Sequence, residues 1–308
     1  MGSLNDNLYK ASSICDGMFY YSGEYSKIYT FTTENISGYI DYFDFNNKSL
    51  LTVGSSGDQV LNAFYSGARD ITLFDINEYA KYYVYLKIAA ILSLSYKEFK
   101  LFFFKCCITS FERNRCMFSK VLFNKIKDNL RIFDYESYLF FDELFSLYEG
   151  SDIRRLFDDD EDRNQVIKGF NNYLKDEESY NKLKSFIKKI SFKYVNGNIF
   201  KDNIFGKYDN IFLSNLCTVT GLKELKSLLE RLDKDNLNCD GSILLGYLWD
   251  INFDSEIVDK GWKDIYNMPI AREYLKEYIT EAHGVRNYRD ILWDEDKKND
   301  LVLIYRKK

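Results

Sequence analysis

The hydrophobic positions change period along the chain. From residue 50 to 77 the sequence reads LLTVGSSGDQVLNAFYSGARDITLFDIN. Leu50, Leu51 and Val53 form a short apolar run that stops at Gly54, the pattern of a buried strand. A Gly54-Ser55-Ser56-Gly57 turn follows, and Asp58 stands where a helix cap belongs. Val60, Leu61 and Phe64 then recur at helical spacing until Gly67 breaks the helix. Ile71 to Phe74 give a second strand that closes at Asp75. A β-α-β unit of this kind leaves a crevice at the carboxyl ends of its strands. Asn77 to Leu94 reads as the next helix, capped by Asn77, with Lys81 and Lys87 on a solvated face.

The alternation then stops for almost a hundred residues. Phe99, Phe102, Phe103 and Phe104 open an aromatic helix, and helical patterns recur at Val121–Ile126, Tyr135–Tyr148 and Tyr173–Ile187. An acidic run from Asp158 to Asp162 reads as a solvated loop. Strand patterns resume at Ser191–Val195, ending near Asn196-Gly197-Asn198, and at Lys207–Leu213, ending at Ser214-Asn215. Gly221–Leu232 is an amphipathic helix, Gly241–Leu248 a buried strand, and Leu301–Tyr305 a last strand expected at the sheet edge. The chain therefore divides into an N-terminal arm (1–49), a Rossmann-like α/β domain (50–96 and 190–308) and a helical insertion (97–189) that is expected to bind an acceptor.

Composition narrows the functional classes. The 308 residues are 46% hydrophobic and 18% aromatic with one proline, enough for one large domain rich in unbroken helices. A net charge of −5 provides no basic field for nucleic acid. No apolar run approaches a membrane span, and neither a secretory signal nor a myristoylation pattern opens the chain, so a cytoplasmic protein is expected. Cys15, Cys106, Cys107, Cys116, Cys217 and Cys239 show no paired spacing, which indicates reduced thiols. With His283 the only histidine, at an expected helix end, zinc is not expected.

Candidate chemistry gathers at the glycine turn. Asp75 lies about 20 residues past Gly54, the separation that places a carboxylate on a ribose hydroxyl pair; its other reading is the cap of the next helix. The dinucleotide fingerprint fails at Ser56, Ala63 and Tyr65, and no P-loop lysine follows. The turn is closer to the S-adenosylmethionine (SAM) loop of methyltransferase-like folds, but Thr52 stands in place of the usual acid and Ser56 in place of a glycine. In SAM-type folds the turn after the third strand faces adenine, which marks Gly197 and Asn198. Ser214 and Asn215, at a strand end, are the candidate catalytic-edge residues, with capping of the following turn as their other role. In the arm, Thr32, Thr33 and Asn35 offer hydrogen bonds to an amino-acid moiety; the other reading packs the arm's Tyr and Phe on the sheet.

These residues carry a resemblance. The segment from Val53 to Phe99 is similar to the core of a SAM-dependent family that includes the aminocarboxypropyl transferases of betaine-lipid synthesis. The serine/glycine turn, Asp-x-Asn after the second strand, the Leu86-Lys87-Ile88-Ala89-Ala90-Ile91 helix and the later Ser214-Asn215 match it. The resemblance implies a methyltransferase-like fold, a mostly parallel sheet with an antiparallel last strand. It implies SAM as cofactor, held by Gly54, Ser55, Gly57, Asp75, Ile76 and Asn77, with Asp58 of the same turn a further cofactor-binding candidate. The acceptor would be a small molecule or lipid, taking a methyl or a 3-amino-3-carboxypropyl group. The arm tyrosines, Glu34 and Asp209 are the candidate bases. The alternative is a non-catalytic ligand- or partner-binding protein on the same fold, a reading that Thr52 supports.

Overall fold

The computed structural model describes residues 2–18, 23–104, 117–158, 167–249 and 273–308. Seven strands form its main sheet: β1 (Ser49–Val53), β2 (Asp70–Asp75), β3 (Phe192–Asn196), β4 (Tyr208–Phe212), β5 (Leu237–Leu248), β6 (Glu281–Val285) and β7 (Asp300–Arg306). Their order is β3-β2-β1-β4-β5-β7-β6. The first five strands run parallel, and β7 runs antiparallel to both of its neighbours. The expected mostly parallel Rossmann-like sheet with an antiparallel last strand is the one observed. The chain winds outward from β1 to β3 and then returns to β4, so the strand order reverses between β1 and β4. Ligands of open α/β sheets bind at such a reversal.

Strand periodicity explains the two cores. Alternate residues point to opposite faces. Leu50, Leu73, Phe212, Leu244 and Ile304 join the cluster on one face, and Leu51, Phe74, Ile211, Leu245 and Leu303 join the other. The first face carries α2 (Asp58–Tyr65) and α3 (Ala80–Ser93). Next come α4 (Tyr96–Phe103), α5 (Lys120–Phe133), α6 (Tyr135–Leu147) and α7 (Glu177–Phe186), of which α5 and α6 pack on α3. Ser95 and Glu98 form a capping box at the start of α4. The second face carries α8 (Leu222–Arg231).

The arm begins with α1 (Leu4–Cys15) and then crosses the first face. Its Phe31, Ile36, Tyr39, Ile40, Phe43 and Phe45 are buried, and Tyr39, Phe43 and Phe45 surround Phe212 of β4. A two-residue parallel ladder joins Ile28–Tyr29 to Phe157–Asp158.

Several expectations need correction. The last strand is not the edge: β7 lies between β5 and β6, so Leu301 to Ile304 are buried. The edge is β6, whose Glu-Ala-His-Gly-Val sequence is half-polar because one side faces solvent. His283 is thus in a strand, stacked on Tyr42 at 4.0 Å with Nε2 2.9 Å from Glu281 Oε2. Gly57, at φ +79°, is the N-cap of α2, and Asp58 is its first helical residue. Helix α3 starts at Ala80 with Tyr79 as N-cap, while the Asn77 side chain accepts from Tyr79 N at 2.9 Å. Neither lysine of α3 is solvated. Lys87 is fully buried, and Lys81 pairs with Asp134 and Glu136.

Cys15, Cys217 and Cys239 are free thiols, whereas Cys106, Cys107 and Cys116 lie outside the described residues. The acidic run beyond Asp158 also lies outside them. Among the described residues no helix is long and apolar enough to cross a membrane, and no side-chain cluster could hold a metal.

Candidate functional site

The carboxyl ends of β1, β2 and β3 border a cavity of about 340 Å³. Four of the sequence candidates line it: Asp75, Ile76, Gly197 and Asn198. Sequence reasoning missed Val53, Phe74, Ile199, Phe200 and Lys201, and also Leu216, Val219, Thr220 and Glu224 beyond β4. Val53, Phe74, Ile199, Phe200, Lys201 and Leu216 lie within three residues of positions that the strand ends already marked, whereas Val219, Thr220 and Glu224 lie four to nine residues beyond Asn215. The walls are mainly apolar. Ile76, a large apolar residue, is 43% exposed at the cavity, which sets a greasy surface beside a carboxylate.

Backbone geometry fixes that carboxylate. Ser55 N donates to Asp75 Oδ2 at 2.6 Å, and Asn77 N donates to Oδ1 at 2.9 Å. Gly54 N closes the corner onto Phe74 O at 2.8 Å. A Cβ on Gly54 would stand 3.3 Å from both Cβ and Oδ2 of Asp75, so glycine permits the close approach of turn and acid. Ser55 has a positive φ of 38° in the tight turn that brings its N–H to the acid. Burial raises the Asp75 carboxyl above its ordinary value, while the N–H groups of Asn77, Ser55 and Ile76 act against that rise. Gly197 N donates to Asp75 O at 2.9 Å, tying the turn after β3 to the same corner. Asn198 spends its Oδ1 on Phe200 N at 2.9 Å, a local turn bond that shapes the cavity wall.

The other candidates gather on the arm side, around two buried carboxylates. Asp58 pairs with Lys87 Nζ at 2.9 Å. It also accepts from Thr32 N (2.6 Å), the Ser56 hydroxyl (2.9 Å) and Tyr173 OH (2.6 Å). Burial pushes the Lys87 amine below its ordinary value, and Asp58 acts against this. Asp58 is therefore a tie between the arm, the glycine turn, α3 and Tyr173.

Glu34 is 3% exposed. It accepts from Tyr39 OH at 3.1 Å, Gln59 Nε2 at 3.2 Å and the Ser214 hydroxyl. Gln59 in turn accepts from Thr52 Oγ1 at 2.6 Å. Burial raises the Glu34 carboxyl, and the three donors act against it. Ser214, at φ +54°, also contacts Asn215 Oδ1 at 3.3 Å.

Thr32 Oγ1 accepts from Glu34 N at 3.0 Å, and Thr33 beside it is half-buried. Asn35 caps the arm's own turn by accepting from Gly38 N, and its Nδ2 donates to Arg286 O after β6. Asn77 Nδ2 holds Ser26 O at 2.8 Å, which ties the arm to β2. Asp209 sits at the opposite end of β4, bonded to Ser49 and Asn238, away from these groups.

No family model matches the chain, and no curated protein matches it. Solved structures similar to it include the N-methyltransferase NodS from Bradyrhizobium japonicum WM9 in complex with S-adenosyl-L-homocysteine. That similarity has 7% identity and a TM-score of 0.37, over 85% of this chain and 79% of that one. Magnesium protoporphyrin IX methyltransferase (ChlM) from Synechocystis PCC 6803 with bound S-adenosyl-L-homocysteine is also similar. Here identity is 8% and the TM-score 0.34, over 100% of this chain and 88% of that one.

Proposed function

We propose that the chain is a SAM-dependent transferase that moves a methyl group to a small-molecule or lipid-like acceptor. The observation that carries this reading is the Asp75 carboxylate, held by two backbone N–H groups at the edge of an apolar cavity. Such a slot fits a nucleoside. Ile76, Ile199, Phe200, Leu216 and Val219 suit the faces of a purine, and a carboxylate accepts from two ribose hydroxyls. The volume is that of a small-ligand site. SAM supplies a sulfonium centre whose attached carbons are open to in-line displacement. The chain's own part is to bind, orient and exclude water.

Asp75 holds the ribose, and the turn from Gly54 to Gly57 brings main chain close to the ligand. Ser214 and Asn215 face the reacting end, and the 97–189 segment bears the acceptor. Transfer of the 3-amino-3-carboxypropyl group in place of methyl is the finer alternative from the resemblance. A non-catalytic binding protein is the second reading, because the Thr52 hydroxyl is turned into the fold toward Gln59.

Calorimetry with SAM and S-adenosylhomocysteine tests the cofactor. Asp75→Ala should weaken both by at least about tenfold, the size of a lost charge-assisted hydrogen bond. Unchanged affinity overturns the assignment. Incubation with an acceptor pool then reads the reaction: S-adenosylhomocysteine release means methyl transfer, methylthioadenosine means aminocarboxypropyl transfer, and no turnover favours the binding protein.

A further inference from the structure

Glu34 is a buried carboxylate whose partners among the described residues are all neutral: Ser214, Tyr39 and Gln59. A buried anion without a cation is costly, and folds retain one where a positive charge arrives. Its position is specific. Gln59 and Thr52 connect it to the end of β1, and Ser214 connects it to the end of β4. It therefore stands over the reversal in strand order, where α/β sheets bind ligands. Asp75 ends β2, on the far side of β1. Two strand spacings, about 10 Å, separate β2, which ends in Asp75, from β4, whose following Ser214 bonds Glu34, the reach of a nucleoside that carries an amino-acid tail.

We infer that Glu34 is the counter-charge for the ammonium group at the amino-acid end of the nucleoside ligand. The arm thus supplies an acid at the place where β1 carries Thr52 instead. The inference rests on the nucleoside reading of the Asp75 cavity. It adds a second anchor at the opposite end of the ligand, one that discriminates by charge. Asp75 recognises hydroxyls; Glu34 recognises a cation. A ligand with the nucleoside but no amino group engages only the first.

Calorimetry with two ligands isolates the assignment. S-adenosylhomocysteine carries the ammonium, and methylthioadenosine keeps the nucleoside and lacks the amino acid. Glu34→Gln should weaken S-adenosylhomocysteine by at least about tenfold and change methylthioadenosine by less than about twofold. Equal losses for both, or none for either, overturn the Glu34 assignment and leave the nucleoside reading standing. Wild-type protein that binds neither ligand overturns both readings.

A measurement on unmodified protein guards against a variant that does not fold. The ratio of the two affinities should move against S-adenosylhomocysteine as pH falls from neutral through the raised folded value of Glu34 and the carboxylate protonates. The titratable groups facing Glu34 stay neutral over that range. Burial holds Tyr39 and Tyr247 well above their ordinary values and pushes the Cys217 thiol up to about 12. Asp300 lies beyond Tyr247, bonded to its hydroxyl at 2.8 Å, and Asp75 acts on both ligands alike. A pH-independent ratio overturns the assignment.

Discussion

Asp58, the first residue of α2, and Glu34, bonded to the adjacent Gln59, are two buried carboxylates, and both hold the arm to the sheet. Asp58 takes Thr32 N, and Glu34 belongs to the arm itself. Their surroundings differ in one respect. Asp58 faces the ammonium of Lys87 at 2.9 Å, whereas Glu34 faces two hydroxyls and an amide. The first charge is cancelled inside the fold, and the region around it is closed structure. The second is left over at the strand ends, beside half-exposed Thr33 and Asn215. Burial alone does not mark a functional acid. Glu34 is singled out instead by having no cationic partner among the described residues, since an uncompensated buried carboxylate is costly.

Removing the lysine should make Asp58 resemble Glu34, and this is the largest effect expected. Lys87→Met keeps the bulk of the chain that lies over the Phe31 ring and leaves Asp58 charged and unpaired. Breaking a buried pair from one side costs roughly 3–5 kcal/mol. Denaturant midpoints measure it. The double variant Asp58→Asn, Lys87→Met should recover much of the loss, since no charge remains buried. A double variant as unstable as the single one would show that the pair's geometry, not its charge balance, holds the arm.

Gly57, the N-cap that precedes Asp58, tests whether the turn sets the position of the carboxylates. Its φ of +79° suits glycine, and an added Cβ would meet Val84 Cγ2 at 3.3 Å. Gly57→Ala should cost about 1–2 kcal/mol in stability, the cost of a left-handed residue with a side chain. It should also weaken nucleoside binding, because Ser55 and Asp58 hang on the same turn. A melting curve and a binding isotherm on the same sample read the two effects.

The difference between the regions also explains what could be read from sequence. Repetitive signals were legible: the apolar runs of β1 and β2, the turn at Gly54, and Asp75 at its fixed separation. The cavity wall was legible in part, since Gly197 and Asn198 follow a strand end while Ile199 and Val219 carry no pattern of their own. The arm was opaque. Its contacts, such as Glu34 with Ser214 across 180 positions, depend on tertiary folding and leave no local period. Lys87 misled for a related reason. A lysine on a helix is ordinarily solvated, and the facing Asp58, 29 positions away, together with Thr30 O makes its burial tolerable. β6 was missed because a half-polar edge strand resembles a helix end when read alone.

The smallest expected effect is the sharpest for Glu34. Its carboxyl is raised above the ordinary 4.5 in the folded chain, so the fold favours the protonated form. The stabilisation this brings is complete below the unfolded value and is lost as pH rises through the raised folded value. Glu34→Gln cannot ionise. Without ligand, wild-type protein should therefore lose stability relative to this variant as pH climbs from 4.5 to neutral. Asp75, also raised by burial, is present in both proteins and cancels. Paired melting temperatures across that range measure the gap, and a gap that does not change with pH removes the unpaired charge from the argument. Saturating S-adenosylhomocysteine should then reverse the trend. If its ammonium meets the ionised carboxylate, ligand-bound wild type gains on the variant as pH rises, whereas methylthioadenosine leaves the ligand-free slope in place.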